Sequence, residues 1–555
     1  MTPGLAAFIA TENGGQTWDD VVAEVLAALA KGFAVVPERG DTSQARRRTW
    51  YDTFDWRLYR AGLTLQYAAA RRGGELRLSS AEAPGDAVQP VSGWRASDPH
   101  PLRDLPDGQV AARITSLVAP RALLPTATAS GVATVRRLLN DDGKTVARLL
   151  VESLTATTGG GHEPLSPRLT ITEVRGYPGQ ARRAVRIVED IPGIRPATEP
   201  VLADALRAAG RRPGDYSSKV NAKITAGMPA AEAAAVILLR LLDIIEANVP
   251  GVLRDTDIEF LHDLRVAVRR TRSALKLFGD ALMAPLAARD SALTADDLAR
   301  FAAEFKWVGD LTTPTRDLDV HLLDFEETAQ ALLAAKPDDL EPFRAYLGQR
   351  RLREFRALTR GLRSSRFTNL MRDWRQRLTT IRETSKSPAR VATSRSGRSP
   401  RAAGETAGTL AAARTRRAFH KVAKRGAAIT PASPHDSLHD LRKRCKELRY
   451  ALEFFAPLLR PAGYAAVLGD LKRLQDCLGE FQDTEVQIGE IRALATNMLA
   501  AGEAPAVTLL AMGEVTAGLA ARQQRARADF ERRFAAFADA EGQRRMAALL
   551  RGGVG

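Results

Sequence analysis

Apolar residues return at intervals of three and four positions in two stretches of the C-terminal half. This spacing is typical of the buried side of an α-helix. The first stretch contains Leu261, Leu264, Val268, Leu275 and Phe278. The second stretch contains Leu438, Leu441, Cys445, Leu448, Leu452 and Phe455. All five positions of the first stretch return in the second at a constant offset of 177 residues, so the pattern predicts a duplicated helical unit.

The N-terminal part has short runs of alternating apolar and polar positions, separated by glycine and proline turns, which favour β-strands. The predicted strands are 63–69, 75–79, 146–153 and 169–175. Helical spacing is found at 18–31, 109–118 and 199–210. Together these patterns predict an α+β domain built on an antiparallel sheet or barrel, followed by an all-α domain.

Basic residues follow the same helical spacing, one position after the apolar residues. The first row is His262, Arg265, Arg269, Arg272 and Lys276. The second row is His439, Arg442, Lys446 and Arg449, followed by Glu453 in the place of Lys276. One residue is about 100° around a helix, so each basic row borders a buried face. The duplication predicts a repetitive anionic ligand, and the two histidines are either ligand contacts or packing residues near a helix start.

A second duplicated segment follows each row, at an offset of 166 residues. Its copies occupy residues 306–320 and 472–486. Lys306 coincides with Lys472, whereas Arg316 has no charged counterpart. The aspartates of both copies are expected to cap helices or to orient arginines rather than to bind a metal ion, and no cofactor is predicted.

Residues 381–408 are rich in Ser, Ala, Gly, Arg and Pro, which predicts a basic flexible linker between the helical halves. Residues 409–425 have helical spacing and are predicted to form the first helix of the second half. Arg417, Lys421 and Lys424 share one face of this helix. They either extend the basic surface or form a solvated cationic face.

Length and charge favour a protein of several domains with a polyanionic partner. The chain has 555 residues, too many for a single core, so two or three domains are expected. Its formal net charge is +16, and 52 of its 81 Lys and Arg residues follow residue 230. Such a charge favours binding to a polyanion.

No membrane-spanning or targeting segment is predicted, because charged residues such as Glu232 and Arg240 interrupt the most apolar stretch, 230–250. Cys445 and Cys477 take apolar positions of the repeat, which favours buried thiols over a disulfide or metal ligands. A reducing cytoplasm is therefore expected.

The paired HDLR segments, the basic residues after them, and the RDLDV and QDTEV segments resemble the CHAD family over roughly residues 228–545. The resemblance implies two similar four-helix bundles around a basic groove. It also implies binding of inorganic polyphosphate and association with polyphosphate granules. The residues expected to contact polyphosphate are His262, Arg265, Arg269, Arg270, Arg272, Lys276, Lys306, Arg316, Arg417, Lys421, Lys424, His439, Arg442, Lys443, Lys446, Arg449, Lys472 and Arg473.

The segments YDTFDWRL at 51–58 and AGLTL at 61–65 resemble the CYTH family of triphosphate tunnel enzymes. This resemblance covers about residues 40–225. The join at 205–219 is also similar to the one in CYTH–CHAD fusions. The resemblance implies a barrel whose strands carry acids for a divalent metal and bases for phosphate.

The CYTH-like segment departs from that family at the positions that carry its chemistry. Residues 1–50 contain no Glu-x-Glu-x-Lys motif, and Gln66 and Ala68 stand where alternating arginines are expected. Glu152 and Glu173 are isolated acids, whereas a two-metal site needs several carboxylates around each ion. The domain is therefore predicted to be degenerate and to contain no catalytic residue.

The predicted organisation has four parts. They are a degenerate CYTH-like domain at 1–225, a first bundle at 226–380, a basic linker at 381–408 and a second bundle at 409–545. The predicted function is non-catalytic binding of polyphosphate in the cytoplasm, and the family resemblance implies association with polyphosphate granules.

Two alternative functions stay open. One is a metal-dependent tripolyphosphatase of the CYTH type. The other is a nucleic-acid-binding protein, which the charge favours. An aromatic content of 6% and the lack of aromatic residues within the basic rows speak against base stacking.

Overall fold

The structure, a computed structural model, describes residues 5–10, 17–38, 44–69, 73–80, 86–283, 293–386 and 405–551. The chain divides into two compact units, Met1–Ser217 and Ser218–Gly555, here called the sheet unit and the helical unit. This arrangement confirms the predicted α+β and all-α fold classes. The division falls before the predicted 225, and Ser218 already accepts a hydrogen bond from Arg270 of the helical unit, at 2.9 Å.

The sheet unit contains an antiparallel sheet and short helices. Its strands are β1 (Leu5–Ala10), β2 (Ala34–Pro37), β3 (Gln44–Asp52), β4 (Leu63–Ala69), β5 (Gly74–Ser80), β6 (Ala87–Val91), β7 (Leu124–Leu139), β8 (Thr145–Thr158), β9 (Gly161–Pro164), β10 (Arg168–Glu173) and β11 (Ile194–Pro196). Its α-helices are α1 (Trp18–Ala30), α2 (Arg57–Arg60), α3 (Gln109–Val118), α4 (Pro178–Glu189) and α5 (Val201–Ala208). The four predicted strands and three predicted helices are all confirmed.

The strand order in the sheet is β11-β1-β10-β8-β7-β3-β4-β5-β6, with β2 paired to β7 and β9 paired to β8. Alternation explains why the shorter strands form: Leu65 and Tyr67 of β4, and Leu76 and Leu78 of β5, are buried, and their neighbours are more exposed. Helices α1 and α4 cover one apolar cluster of the sheet, and α3 and α5 cover two others. The unit is consistent with a CYTH-like barrel.

The helical unit is built from long helices. They are α6 (Ala230–Leu253), α7 (Ile258–Met283), α8 (Ala295–Leu323), α9 (Phe325–Gln330), α10 (Glu341–Leu362), α11 (Ser365–Lys386), α12 (Ala407–Ala427), α13 (His435–Phe454), α14 (Pro461–Ala500), α15 (Ala506–Ala538) and α16 (Ala540–Arg551). Helix α6 is apolar on nearly every side and largely buried, as expected for a helix inside a bundle. None of the described helices is long and apolar enough to cross a membrane.

The predicted linker 381–408 is partly helical in the structure. Helix α11 continues to Lys386, and Ile381 within it is fully buried, so packing extends the helix into this range. At the other end, the side chain of Thr406 accepts from the backbone N–H of Thr409 and caps α12. The remaining part of the predicted linker, 387–404, lies outside the described residues.

The helical unit has two groups of helices. In the first, α6 packs on α7 and α11, and α8 packs on α7 and α10; in the second, α12, α13, α14 and α15 pack in succession. Helix α7 meets α13, where the ring of Phe278 lies 5.9 Å from Phe454 and 5.6 Å from Phe455, between centroids. A further apolar cluster joins α8 and α10 to α14 and α15. The two basic rows therefore lie on two helices that touch.

Candidate anion-binding site

The basic rows lie on α7 and α13, whose buried faces fix their direction. Leu264 and Val268 of α7 are fully buried, as are Leu441 and Cys445 of α13. The next position of each pair is basic and lies at the edge of the buried face, as the helical spacing predicts. Asp257 fixes the start of α7, because its Oδ1 accepts from the backbone N–H of Glu259 at 2.9 Å.

Arg265 is a half-buried cation with mostly neutral partners. Its Nη1 donates to Thr313 Oγ1 at 2.7 Å and to Thr312 Oγ1 at 3.3 Å. The carboxylate of Asp317 lies 4.0 Å from its Nη2, at the limit of an ion pair. Burial lowers the pKa of Arg265 to about 10, and the charges of Arg269 and Arg316 act in the same direction. Arg265 thus stays charged at neutral pH in surroundings that disfavour its charge.

The positive charge of Lys446 on α13 is offset even less by neighbouring carboxylates than that of Arg265. Burial lowers the pKa of Lys446 to about 8, and the charges of Arg442 and Arg269 lower it further, with only Asp483 opposing them. Lys446 forms no ion pair with any carboxylate of the described residues. Arg269 lies on α7, so cations from both rows act on one half-buried ammonium group. We call Arg265, Arg269, Arg442 and Lys446 the central cluster.

The duplication is visible in the contacts of the two rows. Arg442 Nη2 donates to Asp483 at 2.8 Å, and the equivalent pair in the first copy is Arg265 with Asp317. Gln475 Oε1 accepts from Arg449 at 3.5 Å. At the equivalent place Arg272 lies against Gly309, where an added Cβ would come within 3.4 Å of its Nη1. The same helix faces therefore meet in both copies.

The two histidines have similar settings near the helix starts. His262 and His439 are both half-buried. The Nδ1 atom of His439 is within hydrogen-bond distance of Gln482 Oε1. Gln482 corresponds to Arg316, which contacts the carbonyl oxygen of Ile258 at 3.3 Å. His439 therefore has a protein partner on α14.

Several predicted site residues are engaged in ion pairs. Arg270 donates to Glu453 at 2.7 Å, and Arg449 donates to the same carboxylate, also at 2.7 Å. Lys306 donates to Asp310 at 2.6 Å, and Arg316 lies 3.8 Å from Glu259. Arg473 pairs with Asp470 and lines a cavity between α14 and α15. Of these five residues, Arg316 also acts on the central cluster, because its charge contributes to lowering the pKa of Arg265.

Three other predicted residues gather in a separate place. Lys276, Arg417 and Lys421 line a cavity of about 350 Å³ between α7, α12 and α13. No residue of the central cluster lines this cavity, which we call the lateral cavity. Arg417 and Lys421 were predicted either to extend the basic surface or to form a solvated cationic face. In the structure they join Lys276, the last residue of the first row, in a second basic surface that is separate from the central cluster.

Lys424, Lys443 and Lys472 are exposed. Lys443 and His439 line a further surface cavity with Asp436 and Asp440. Two acids, Asp436 and Asp440, line this cavity together with Arg425 and Lys443, so it is less suited to an anion than the central cluster.

Sequence reasoning missed two kinds of site residue. The first kind is Thr312 and Thr313, whose hydroxyl groups accept hydrogen bonds from Arg265. They lie one helical turn before Arg316, within the repeated segment, so the repeat could have marked them as candidate partners of the basic row. Arg444 and Tyr450 also line the lateral cavity. They lie off the basic row of α13, and no spacing rule marks them.

Glu152 and Glu173, the two isolated acids of the sheet unit, do not converge with other described carboxylates as the ligands of a metal site would. Glu152 of β8 is buried and forms an ion pair with Arg48 of β3. Glu173 is half-buried at the end of β10. Strand β1 has the sequence LAAFIA, without a charged residue. Among the described residues there is no group of three or more acidic, His or Cys side chains that could hold a metal ion.

The two cysteines are free thiols. Cys445 is fully buried, and burial raises its pKa to about 12. Cys477 is half-buried, donates to the carbonyl of Ala526 at 3.1 Å, and has a pKa raised by burial to about 11. Both are protonated packing groups at neutral pH.

The helical unit is duplicated, and each copy carries one of the two basic rows. Residues 236–492, which lie within the helical unit, match the family described as the CHAD domain. The comparison with curated proteins found no match.

Two solved structures are similar to parts of the chain. The crystal structure of the CHAD domain from the plant Ricinus communis is 26% identical, with a TM-score of 0.45, over 58% of this chain and 96% of that chain. PptA from Streptomyces chartreusis is 18% identical, with a TM-score of 0.38, over 55% of this chain and 96% of that chain.

Proposed function

We propose that this protein binds inorganic polyphosphate through the central cluster, without catalysing a reaction on it. The observation that carries the proposal is the setting of Lys446. A half-buried ammonium group among cations, without an ion-pair partner in the described parts of the chain, is unfavourable unless an anion joins it. The CHAD domain supports polyphosphate as that anion, since the family resemblance implies this ligand.

The mechanism is electrostatic. Arginines offer planar forks to phosphate oxygens, and lysines act as point charges. A phosphate near Lys446 would offset the repulsion by Arg442 and Arg269 and raise the pKa of the lysine. Protein contacts hold Arg265 and Arg442 in place before binding, so few rotamers are lost when the ligand arrives.

The absence of catalysis is also part of the proposal. Arg48 forms an ion pair with Glu152, one of the two isolated acids found in the CYTH-like segment. A tunnel triphosphatase requires such acids to be free for a divalent metal. Incubation with tripolyphosphate and Mg²⁺ or Mn²⁺ should release no phosphate, and turnover abolished by Glu173→Ala would refute this part.

The central test replaces Lys446 with methionine, which keeps the length of the side chain and removes its charge. We expect Lys446→Met to weaken binding of long-chain polyphosphate by roughly tenfold or more, because a buried contact to an anion is lost. The measurement is a titration by calorimetry at fixed salt.

Lys144→Met is the matched control, since Lys144 is an exposed lysine of the sheet unit. It should leave the affinity nearly unchanged. Equal affinities for wild type and Lys446→Met would refute the central cluster as the binding site.

Association with polyphosphate granules extends the proposal to the cell. A fluorescent fusion of the full chain should concentrate at granules in polyphosphate-rich cells and the Lys446→Met variant should do so less. A fusion that stays diffuse in such cells would overturn this extension, while leaving the binding measurement unaffected.

A further inference from the structure

The lateral cavity has a cationic side. Its lining includes five basic residues and one acid, Glu447. Arg414 pairs with Asp280, and Arg444 pairs with Glu447 at 2.9 Å. Lys276, Arg417 and Lys421 are exposed and form no ion pair within the described part of the chain. These three cations can accept an anion without breaking an existing pair.

The lining of the lateral cavity also includes aromatic and apolar residues. Tyr450 is half-buried, and its ring stacks with that of Phe454 at 6.3 Å between centroids and an interplanar angle of 25°. Leu277 and Ala418 are further apolar residues of the lining. A flat ring could lie on Tyr450, whereas a bare phosphate chain gains nothing from such a wall.

The duplication shows that this cavity is not a general product of the repeat. At the offset of 177 residues, Arg414 and Lys421 correspond to Ile237 and Ile244, which are both buried. Glu447 and Lys276 correspond to Arg270 and Glu453, which close on each other in an ion pair. The first copy therefore has buried isoleucines and an ion pair at four of these positions, whereas Arg417 corresponds to a further cation, Arg240.

We propose that the lateral cavity binds a nucleoside triphosphate. The base would lie against Tyr450, and the phosphates would contact Lys276, Arg417 and Lys421. The volume of about 350 Å³ is within the usual range for small-molecule sites, and the exposed cations at its edge can hold phosphates that extend outward. The inference is independent of polyphosphate binding at the central cluster.

The test compares ATP, inorganic tripolyphosphate and adenosine by calorimetry with the full chain, without divalent metal. We expect ATP to bind roughly tenfold more tightly than tripolyphosphate, because stacking adds to the phosphate contacts. Adenosine alone should bind more weakly than either. Tyr450→Leu should remove the advantage of ATP, and Tyr450→Phe should keep it.

Two further variants separate the possible sites. Arg417→Gln, at an exposed position, should weaken ATP and tripolyphosphate alike without affecting the fold, as circular dichroism can verify. Lys446→Met should lower polyphosphate affinity and leave ATP affinity unchanged. If polyphosphate binding fails this test while ATP binding behaves as expected, the proposed function falls and the nucleotide site stands.

Several results would overturn the nucleotide site. They are no binding of ATP at millimolar concentration, tripolyphosphate binding as tightly as ATP, or an ATP affinity that Tyr450→Leu does not change. Loss of ATP binding in Lys446→Met would place the nucleotide at the central cluster instead, and would equally refute the proposal.

Discussion

Lys446 is a half-buried ammonium group with cationic neighbours, a setting that does not favour folding. Buried lysines usually have a carboxylate partner, because desolvation of an unpaired ammonium group is unfavourable. Here the neighbours that act on it most strongly are Arg442 and Arg269, and both lower its pKa. The anion that we propose at the central cluster would offset this unfavourable setting.

The same lysine predicts how stability depends on pH. Its pKa is about 8 in the folded protein against an ordinary 10.5, so the unfolded chain binds more protons between these values. This residue therefore makes stability rise with pH from about 8 to about 10.5, and its full destabilising effect is present below pH 8. Lys446→Met should remove this rise and increase the melting temperature at pH 7.

The control for this experiment is again Lys144→Met, which should leave the pH profile of stability unchanged. Thermal unfolding without ligand at pH 7, 8, 9 and 10 provides the measurement. An identical pH dependence in wild type and Lys446→Met would mean that the lysine is well solvated, contrary to the structure.

At the scale of helices, the duplication was readable from the sequence. Helical spacing located α7 and α13 and placed their basic rows beside the buried faces. The constant offset also related Arg265 to Arg442, whose carboxylate partners are equivalent. These features depend on the periodicity of residues along one helix, which can be determined from the sequence alone.

The ion-pair partners across the junction of α7 and α13 could not be predicted from the helical spacing. Glu453 looked like a lost cation of the second row, and in the structure it pairs with both Arg270 and Arg449. The lateral cavity depends likewise on three helices that approach one another. Such contacts follow from packing between distant segments, and spacing along one helix does not specify them.

The pair of Arg270 and Glu453 joins the two copies and predicts a measurable coupling. Its side chains are 13% and 15% exposed. Arg270→Met should lower the free energy of unfolding by about 1–3 kcal/mol, because a mostly buried carboxylate loses a partner. Polyphosphate affinity should change little, since Arg270 is outside the central cluster.

A double-mutant cycle tests this coupling by urea unfolding. Arg270→Met combined with Glu453→Met should cost less than the sum of the two single changes. Additive effects would indicate that the pair contributes no interaction energy across the junction.

At the scale of the whole molecule, a net charge of +16 does not by itself identify a ligand. Many arginines are consumed by ion pairs, such as Arg351 with Asp255 and Asp319, whose distances are 2.6 and 2.5 Å. What distinguishes the central cluster is that cations from both copies act on the half-buried Lys446, which has no ion-pair partner among the described residues. The total charge affects any polyanion, whereas this arrangement favours closely spaced phosphates.

Competition between long-chain polyphosphate and single-stranded RNA tests that distinction on the full chain. In polyphosphate neighbouring phosphates share an oxygen, and in RNA a ribose separates them, so polyphosphate brings more charge to the central cluster. We expect polyphosphate to displace RNA at about tenfold lower phosphate concentration than the reverse, with both affinities falling as salt rises. The measurement is fluorescence anisotropy of labelled RNA.

Lys446→Met should reduce this preference, because general attraction by the net charge remains while the central cluster is weakened. Lys144→Met, with the same loss of charge, should keep it. If RNA and polyphosphate displace each other equally well, and both variants behave alike, the protein recognises only charge density. That outcome would contradict a specific site for polyphosphate and would favour the nucleic-acid alternative.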